Sequence, residues 1–286
     1  MGAHTKFWTL SFSGAGLLLP YHLGAARVLR DSLSASNSLS PIRTVAGSSS
    51  GAIAATFMAL LPHRLEEYSD RFLHDGGRGL SLVKEMLEEE AKAPSTTTTT
   101  TTSQELVTLY VCVTKSLDGS KHLFRFDSKD DPLKDPNLFR AIHASCMIPK
   151  SFHPYDVFSP QKPSYPDGID INGVLYCDGG IASPAPSTPM DDDPNCARNI
   201  VISPISGPES GNRPGGGSIR PKDLSLALPF AFTSGCGSFR VNVSLQNLRA
   251  AFGSVGATTP EALRDWYERG ADDAEKFLKS AKERRQ

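Results

Sequence analysis

The sequence predicts an α/β fold from three observations: short apolar runs alternate with stretches of helical periodicity, the best-marked runs end in glycine-rich turns, and no internal repeat interrupts the pattern. Residues 9–13 read as a strand that runs into Gly14-Ala15-Gly16, and residues 17–33 then carry apolar side chains at helical spacing. A second strand over 42–46 ends in Gly47-Ser48-Ser49-Ser50-Gly51, and residues 52–61 read as a buried helix. This is a βαβ unit of the right length for a right-handed crossover.

Residues 62–92 predict two surface helices, one carrying Leu65, Tyr68, Phe72 and Leu73 inward and the other Val83, Met86 and Leu87. The Thr-rich run 94–103 predicts a flexible loop, because a polar homopolymer cannot bury enough apolar surface to order itself. Strands follow over 106–114 and 122–126, then a helix over 136–146 and a short strand over 174–177 that meets Asp178-Gly179-Gly180. Residues 154–172, rich in Pro, Asp and Ser, predict a surface loop, and 207–221 another, with a strand over 200–203 before it. The C-terminal part, 245–282, reads as mostly amphipathic helix, and a single domain over 7–280 accommodates all of this.

Composition narrows the function. Thirty basic and 31 acidic residues leave a net charge of −1, without the electrostatic footprint that nucleic-acid binding needs. The five cysteines lack zinc-site spacing and read as buried small hydrophobes in a reducing compartment. The N-terminus enters a strand directly, without the regions of a secretory signal, and Lys6 stands where a myristoylation motif requires Ser or Thr. The longest apolar stretch, 51–61, is far short of the roughly 20 residues that span a bilayer. The expectation is a cytoplasmic protein whose membrane contact is peripheral.

Gly47-Ser48-Ser49-Ser50-Gly51 matches G-x-S-x-G, a strand-to-helix turn that exposes the central hydroxyl, although the same residues could form an ordinary turn. Gly14-Ala15-Gly16, between strand and helix, is suited to presenting backbone amides to an oxyanion. A dinucleotide loop is the competing reading, and Leu19 in place of the third glycine argues against it. All seven histidines precede Asp178, and no turn motif surrounds any of those after Ser49, which disfavours a Ser-Asp-His order. Asp178 ends a strand before two glycines and is the candidate base, with a simple Asp-Gly-Gly turn as its alternative.

In order along the chain, residues 11–16, Tyr21-His22-Leu23-Gly24, Gly47 to Gly51 and Asp178-Gly179-Gly180 resemble the patatin-like phospholipase domain, most closely its adipose triglyceride lipase and adiponutrin branch. Residues 140–149 and 200–207 extend the likeness, which runs from about Phe7 to Leu278. The resemblance implies a three-layer α/β/α sandwich and a Ser/Asp dyad of Ser49 and Asp178. It also implies an oxyanion hole at Gly14, Ala15 and Gly16, with Gly47, Gly51, Gly179 and Gly180 as motif positions. It calls for no metal and no organic cofactor. The implied substrates are acylglycerols or phospholipids at a lipid-water interface, on a membrane or lipid-droplet surface. No residue identifies a protein co-activator. Two departures stand out: Leu19-Pro20 at the first helix, and Pro184-Ala185-Pro186 where the family has an Asn-Leu-Pro-like stretch. The apolar stretch 224–232 is a candidate lipid contact, with burial in the core as the alternative.

Overall fold

The structure is a computed structural model, and it describes residues 7–35, 41–75, 78–93, 107–152, 164–193, 195–206, 217–221, 228–234, 237–243, 247, 250, 253 and 259–283. The expected Thr-rich loop 94–103 lies outside them.

Strand β1 (Phe7–Phe12) is buried at every position. A strand reads as a continuous apolar run when both faces are covered, as in the middle layer of an α/β/α arrangement. From β1 the chain passes through a 3-10 turn (Gly16–Leu18) into α1 (Leu19–Ala35), then β2 (Ile42–Ser48), which pairs with β1 in parallel. Helix α2 (Ser50–Leu60) is buried almost all round, as its Ala, Ile, Phe and Met content demands, and lies on β2 and on β3 (Thr108–Lys115). Helices α3 (Leu65–Asp75) and α4 (Leu80–Lys92) keep the expected apolar faces inward, and outside them Arg71 bridges to Glu85 and Glu89.

After β3 come β4 (Lys121–Asp127), α5 (Pro136–Ser145), β5 (Ile169–Ile171), β6 (Val174–Cys177), a one-turn helix α6 (Gly179–Ala182), β7 (Cys196–Ile202) and β8 (Gly217–Ile219). Eight strands form one mixed sheet in the order β5-β6-β3-β2-β1-β7-β8, with β4 also on β3. The register around β3 matters most. Strand β2 runs parallel to β3 and stops with Ser48 opposite Cys112, whereas β6 runs antiparallel with Cys177 opposite Thr114. The Lys115 amide bonds Ser120 on the β4 side and the next amide, Ser116, bonds Leu175 of the β6 side. Successive amides of a strand point to opposite edges, so β6 occupies the edge that β2 leaves free after Cys112. The ends of β2 and β6 therefore approach each other head-on.

Two loop expectations change. The predicted surface loop 154–172 ends in a strand, β5, which pairs antiparallel with β6, and the predicted loop 207–221 contains β8, parallel to β7. In β8 only Ile219 carries a core signal, too little to mark a strand among Gly, Pro and Ser. The stretch 224–232 includes the start of a separate hairpin, β9 (Leu228–Ser234) with β10 (Gly237–Val243), and its first residues lie outside the description. Of the C-terminal part 245–282, the continuous helix is α7 (Pro260–Glu283), which packs along α1. That crossing is close: a Cβ on Gly24 of α1 would overlap the Tyr267 carbonyl, and one on Gly270 of α7 would overlap the Tyr21 carbonyl. Leu19 is buried in the core and Pro20 falls in the first turn of α1, where its missing amide costs little.

Candidate active site

Ser49 stands where β2 turns into α2, with φ +53°, a left-handed conformation that non-glycine residues adopt only when the surroundings enforce it. The flanking glycines supply the enforcement. A Cβ at Gly47 would strike the Gly51 carbonyl, and one at Gly51 would strike the carbonyls of Phe12 and Ser13. The turn is thus clamped between its own backbone and the end of β1, and the half-buried Ser49 hydroxyl is the group it raises.

Asp178 follows β6, from the opposite direction. Its amide donates to the Met147 carbonyl (2.8 Å), its carbonyl accepts from Thr114 Oγ1 (2.7 Å), and its Oδ1 accepts from the Gly180 amide (2.7 Å). Gly179 is pressed against the Cys112 carbonyl so closely that a Cβ there would overlap it. The Ser49 hydroxyl lies near enough to the Asp178 carboxyl to lower its pKa. Burial pushes the Asp178 carboxyl up to about 6, opposed by the Ser49 hydroxyl and the Gly180 amide. Near neutral pH this carboxylate is charged yet far more basic than an exposed aspartate.

The Gly14 to Gly16 loop covers Ser49: a Cβ on Gly14 would lie 3.4 Å from that of Ser49. Two of the three amides expected to face an oxyanion have partners within the protein. The Gly14 amide donates to the Pro184 carbonyl (2.8 Å) and the Ala15 amide to Ser50 Oγ (3.1 Å). The loop's two exposed residues are Gly16, at φ +54°, and Leu17, both opening the 3-10 turn. Pro184, one of the departures noted in the sequence, also accepts from Ser48 Oγ (2.7 Å), so its carbonyl joins the covering loop to the end of β2.

His22 lies beneath this loop, not beside Ser49. It is fully buried, its Nε2 bonds the Ser13 carbonyl (2.8 Å), and burial pulls it down to about 4, so it is a neutral donor holding the loop. Sequence reasoning missed two hydroxyls that the fold brings in. Ser50 bonds the Ala15 amide, and Ser145, at the end of α5, accepts from the Ser49 amide (2.8 Å). Neither sits in a spacing that marks it in advance. Among the described residues no group of three His, Cys, Asp or Glu side chains converges as a metal site, and no helix is long and apolar enough to cross a membrane.

Known proteins of similar sequence point to one family. Human patatin-like phospholipase domain-containing protein 4 is 25% identical over 285 residues, covering 96% of this chain and 97% of that protein. Human omega-hydroxyceramide transacylase is 27% identical over 95% of the chain but 46% of its own length. Rat patatin-like phospholipase domain-containing protein 2 is 26% identical over 95% of the chain and 51% of its own length. The chain thus spans about half of the latter two. The family model for patatin-like phospholipases matches residues 10–191, most of the chain and every residue of the site just described, and the chain belongs to that family.

Proposed function

We propose that the protein is a lipid acyl hydrolase that cleaves acylglycerol esters through an acyl-enzyme on Ser49, with Asp178 as its base. The observation that carries this reading is the meeting of the β2 and β6 ends on one edge of β3, which brings the strained Ser49 turn beside a carboxyl that burial has made more basic. As Ser49 attacks the ester carbonyl, its proton passes to Asp178 and the oxyanion develops beneath the covering loop. Gly16 and Leu17, at the start of the 3-10 turn, are the loop's donors in this reading. Asp178 then gives the proton to the leaving alcohol; in the second half it takes a proton from water as that water attacks the acyl-enzyme, and returns it to the Ser49 oxygen as the fatty acid leaves. The neutral, buried His22 supports the roof and transfers no proton. Work at a lipid-water interface, reached from the cytoplasm by peripheral contact, belongs to the same reading, as does one domain over 7–280.

The transacylase among the relatives supports a second reading, in which a lipid alcohol replaces water in the release step. Labelled triacylglycerol, monoacylglycerol and phosphatidylcholine, each with and without an acceptor lipid, separate the two by product. A fluorophosphonate should label wild type and fail on Ser49→Ala, and Asp178→Asn should lose at least about a hundredfold in turnover of p-nitrophenyl esters. An Asp178→Asn protein with wild-type turnover would overturn the proposed base.

A further inference from the structure

Ser145 lies in the 140–149 run but has so far been given no part in the chemistry. Its hydroxyl is fully buried and makes two bonds, accepting from the Ser49 amide at 2.8 Å and donating to the Cys112 carbonyl at 2.6 Å. A hydroxyl has one proton to give, so this pair of bonds fixes its orientation. Both partners stand where the β2–β3 ladder stops. The β2–β3 ladder ends with Ser48 opposite Cys112, and Ser49 opens a helix, where the first amides lack acceptors within the helix. Ser145 is inserted between these two ends and bridges a gap that a continued ladder would have closed directly. It also borders the other half of the site, since a Cβ on Gly179 would come within 3.1 Å of Ser145 Oγ.

We propose that Ser145 is a positioning residue, whose hydroxyl holds the left-handed backbone of Ser49 in place and so aims the Ser49 hydroxyl at Asp178. The proposal rests on the reading of Ser49 and Asp178 as nucleophile and base. Helix α5 can serve as the anchor because Leu138, Ala141, Ile142 and Ala144 fix its inner face in the core and Asp135 caps its start. Loss of the hydroxyl leaves the Ser49 amide and the Cys112 carbonyl without their bridge and lets the turn relax toward an ordinary conformation. The Ser49 hydroxyl helps hold the Asp178 carboxyl down, so its displacement should also move the acid limb of activity upward. The side chains and amides that face Asp178 there are the Ser49 hydroxyl, the Gly180 amide and the Cys146 and Cys177 thiols. Burial keeps both thiols protonated across this range. Cys112, on β3, points its thiol to the Gly179 carbonyl.

The test compares the full chain with Ser145→Ala, Ser145→Thr, Ser145→Cys, Ser49→Ala and Asp178→Asn on a soluble p-nitrophenyl ester. Turnover against pH, the rate of fluorophosphonate labelling and thermal melting are measured for each. Ser145→Ala should lower kcat about 10- to 100-fold with KM within about twofold, slow labelling in parallel and shift the acid limb upward, as expected of a displaced nucleophile. Ser145→Thr, which keeps the hydroxyl, should recover most of the loss. Wild-type kcat and labelling in Ser145→Ala overturn the proposal, as does a loss that Ser145→Thr shares equally or that leaves the acid limb unmoved. If Ser145→Ala does not fold, Ser145→Cys decides, and turnover equal to that of Ser145→Thr overturns the assignment. Activity retained by Ser49→Ala or Asp178→Asn removes the dyad itself, whereas two dead variants beside an unaffected Ser145→Ala remove only the role of Ser145.

Discussion

At the scale of single residues, the site stores cost in two places. Ser49 is held at φ +53°, a conformation worth of order 1–3 kcal/mol of strain. Asp178 is buried as a carboxylate, and its rise from about 3.8 to about 6 corresponds to ~3 kcal/mol of lost stability wherever the group is charged. Between those two values the folded protein binds more protons than the unfolded chain, so this cost grows as pH rises through the window and is complete above about 6. Asp178→Asn should therefore melt at a higher temperature than wild type at pH 8, and the two melting curves should converge near pH 4. If Asp178 is the base, as proposed, activity runs the other way, because the base must be unprotonated: turnover should fall as pH drops through about 6. Both effects can be read from one pH series of calorimetry and ester hydrolysis, and a variant no more stable at pH 8 would contradict the burial cost. The turns that hold Ser49 and Asp178 were legible in the sequence because glycines with steric jobs stand beside each. Ser145 was not, since one serine inside an amphipathic helix carries no signature. The engagement of the Gly14 and Ala15 amides was equally hidden, because their acceptors, Pro184 and Ser50, come from distant segments.

Among the elements, α1 matters beyond its place in the core because its N-terminal end continues the covering loop and carries His22. Its position is set by reciprocal close approach, Gly24 against the Tyr267 backbone and Gly270 against the Tyr21 backbone, with Tyr21 Oη bonding Asp273 at 2.9 Å. Gly270→Ala must push the helices apart, at about 1–3 kcal/mol of stability. The expected outcome is a lower melting temperature together with reduced turnover, since α1 moves with its loop. An unchanged melting temperature in Gly270→Ala would refute the tight crossing. The helices were legible because their apolar spacing is long and regular. The three-residue strands β5 and β8 were not, because a strand that short exists only through the neighbour it pairs with. Gly270 gave no warning either: an isolated glycine in a helix marks a close contact only once its partner is known.

In the whole molecule, the α/β class was readable from the first βαβ unit, but its completion depends on the far end of the chain. Trp266, Phe277 and Leu278 of α7 are buried, and Phe277 lies against Gly217 of β8. Each such side chain contributes about 1.5–3 kcal/mol, so together they rival the whole net stability of about 5–15 kcal/mol usual for a folded domain. A chain truncated after residue 258 should accordingly lose its cooperative melting transition, which circular dichroism would detect. The arrangement of β2 and β6 on one edge of β3 has a different kind of consequence. The strand acts as a ruler: Cys112 marks the end of the strand that carries the proposed nucleophile, Thr114 marks the end of the strand that carries the proposed base, and the spacing between the two is a single residue, Val113. One residue inserted there would lengthen the ruler by about 3.3 Å and reverse the facing of everything beyond it. Surface loops of such a protein can drift in length at little cost, whereas this one interval tolerates no insertion, and a length change at Val113 should silence the site even in a chain that still folds.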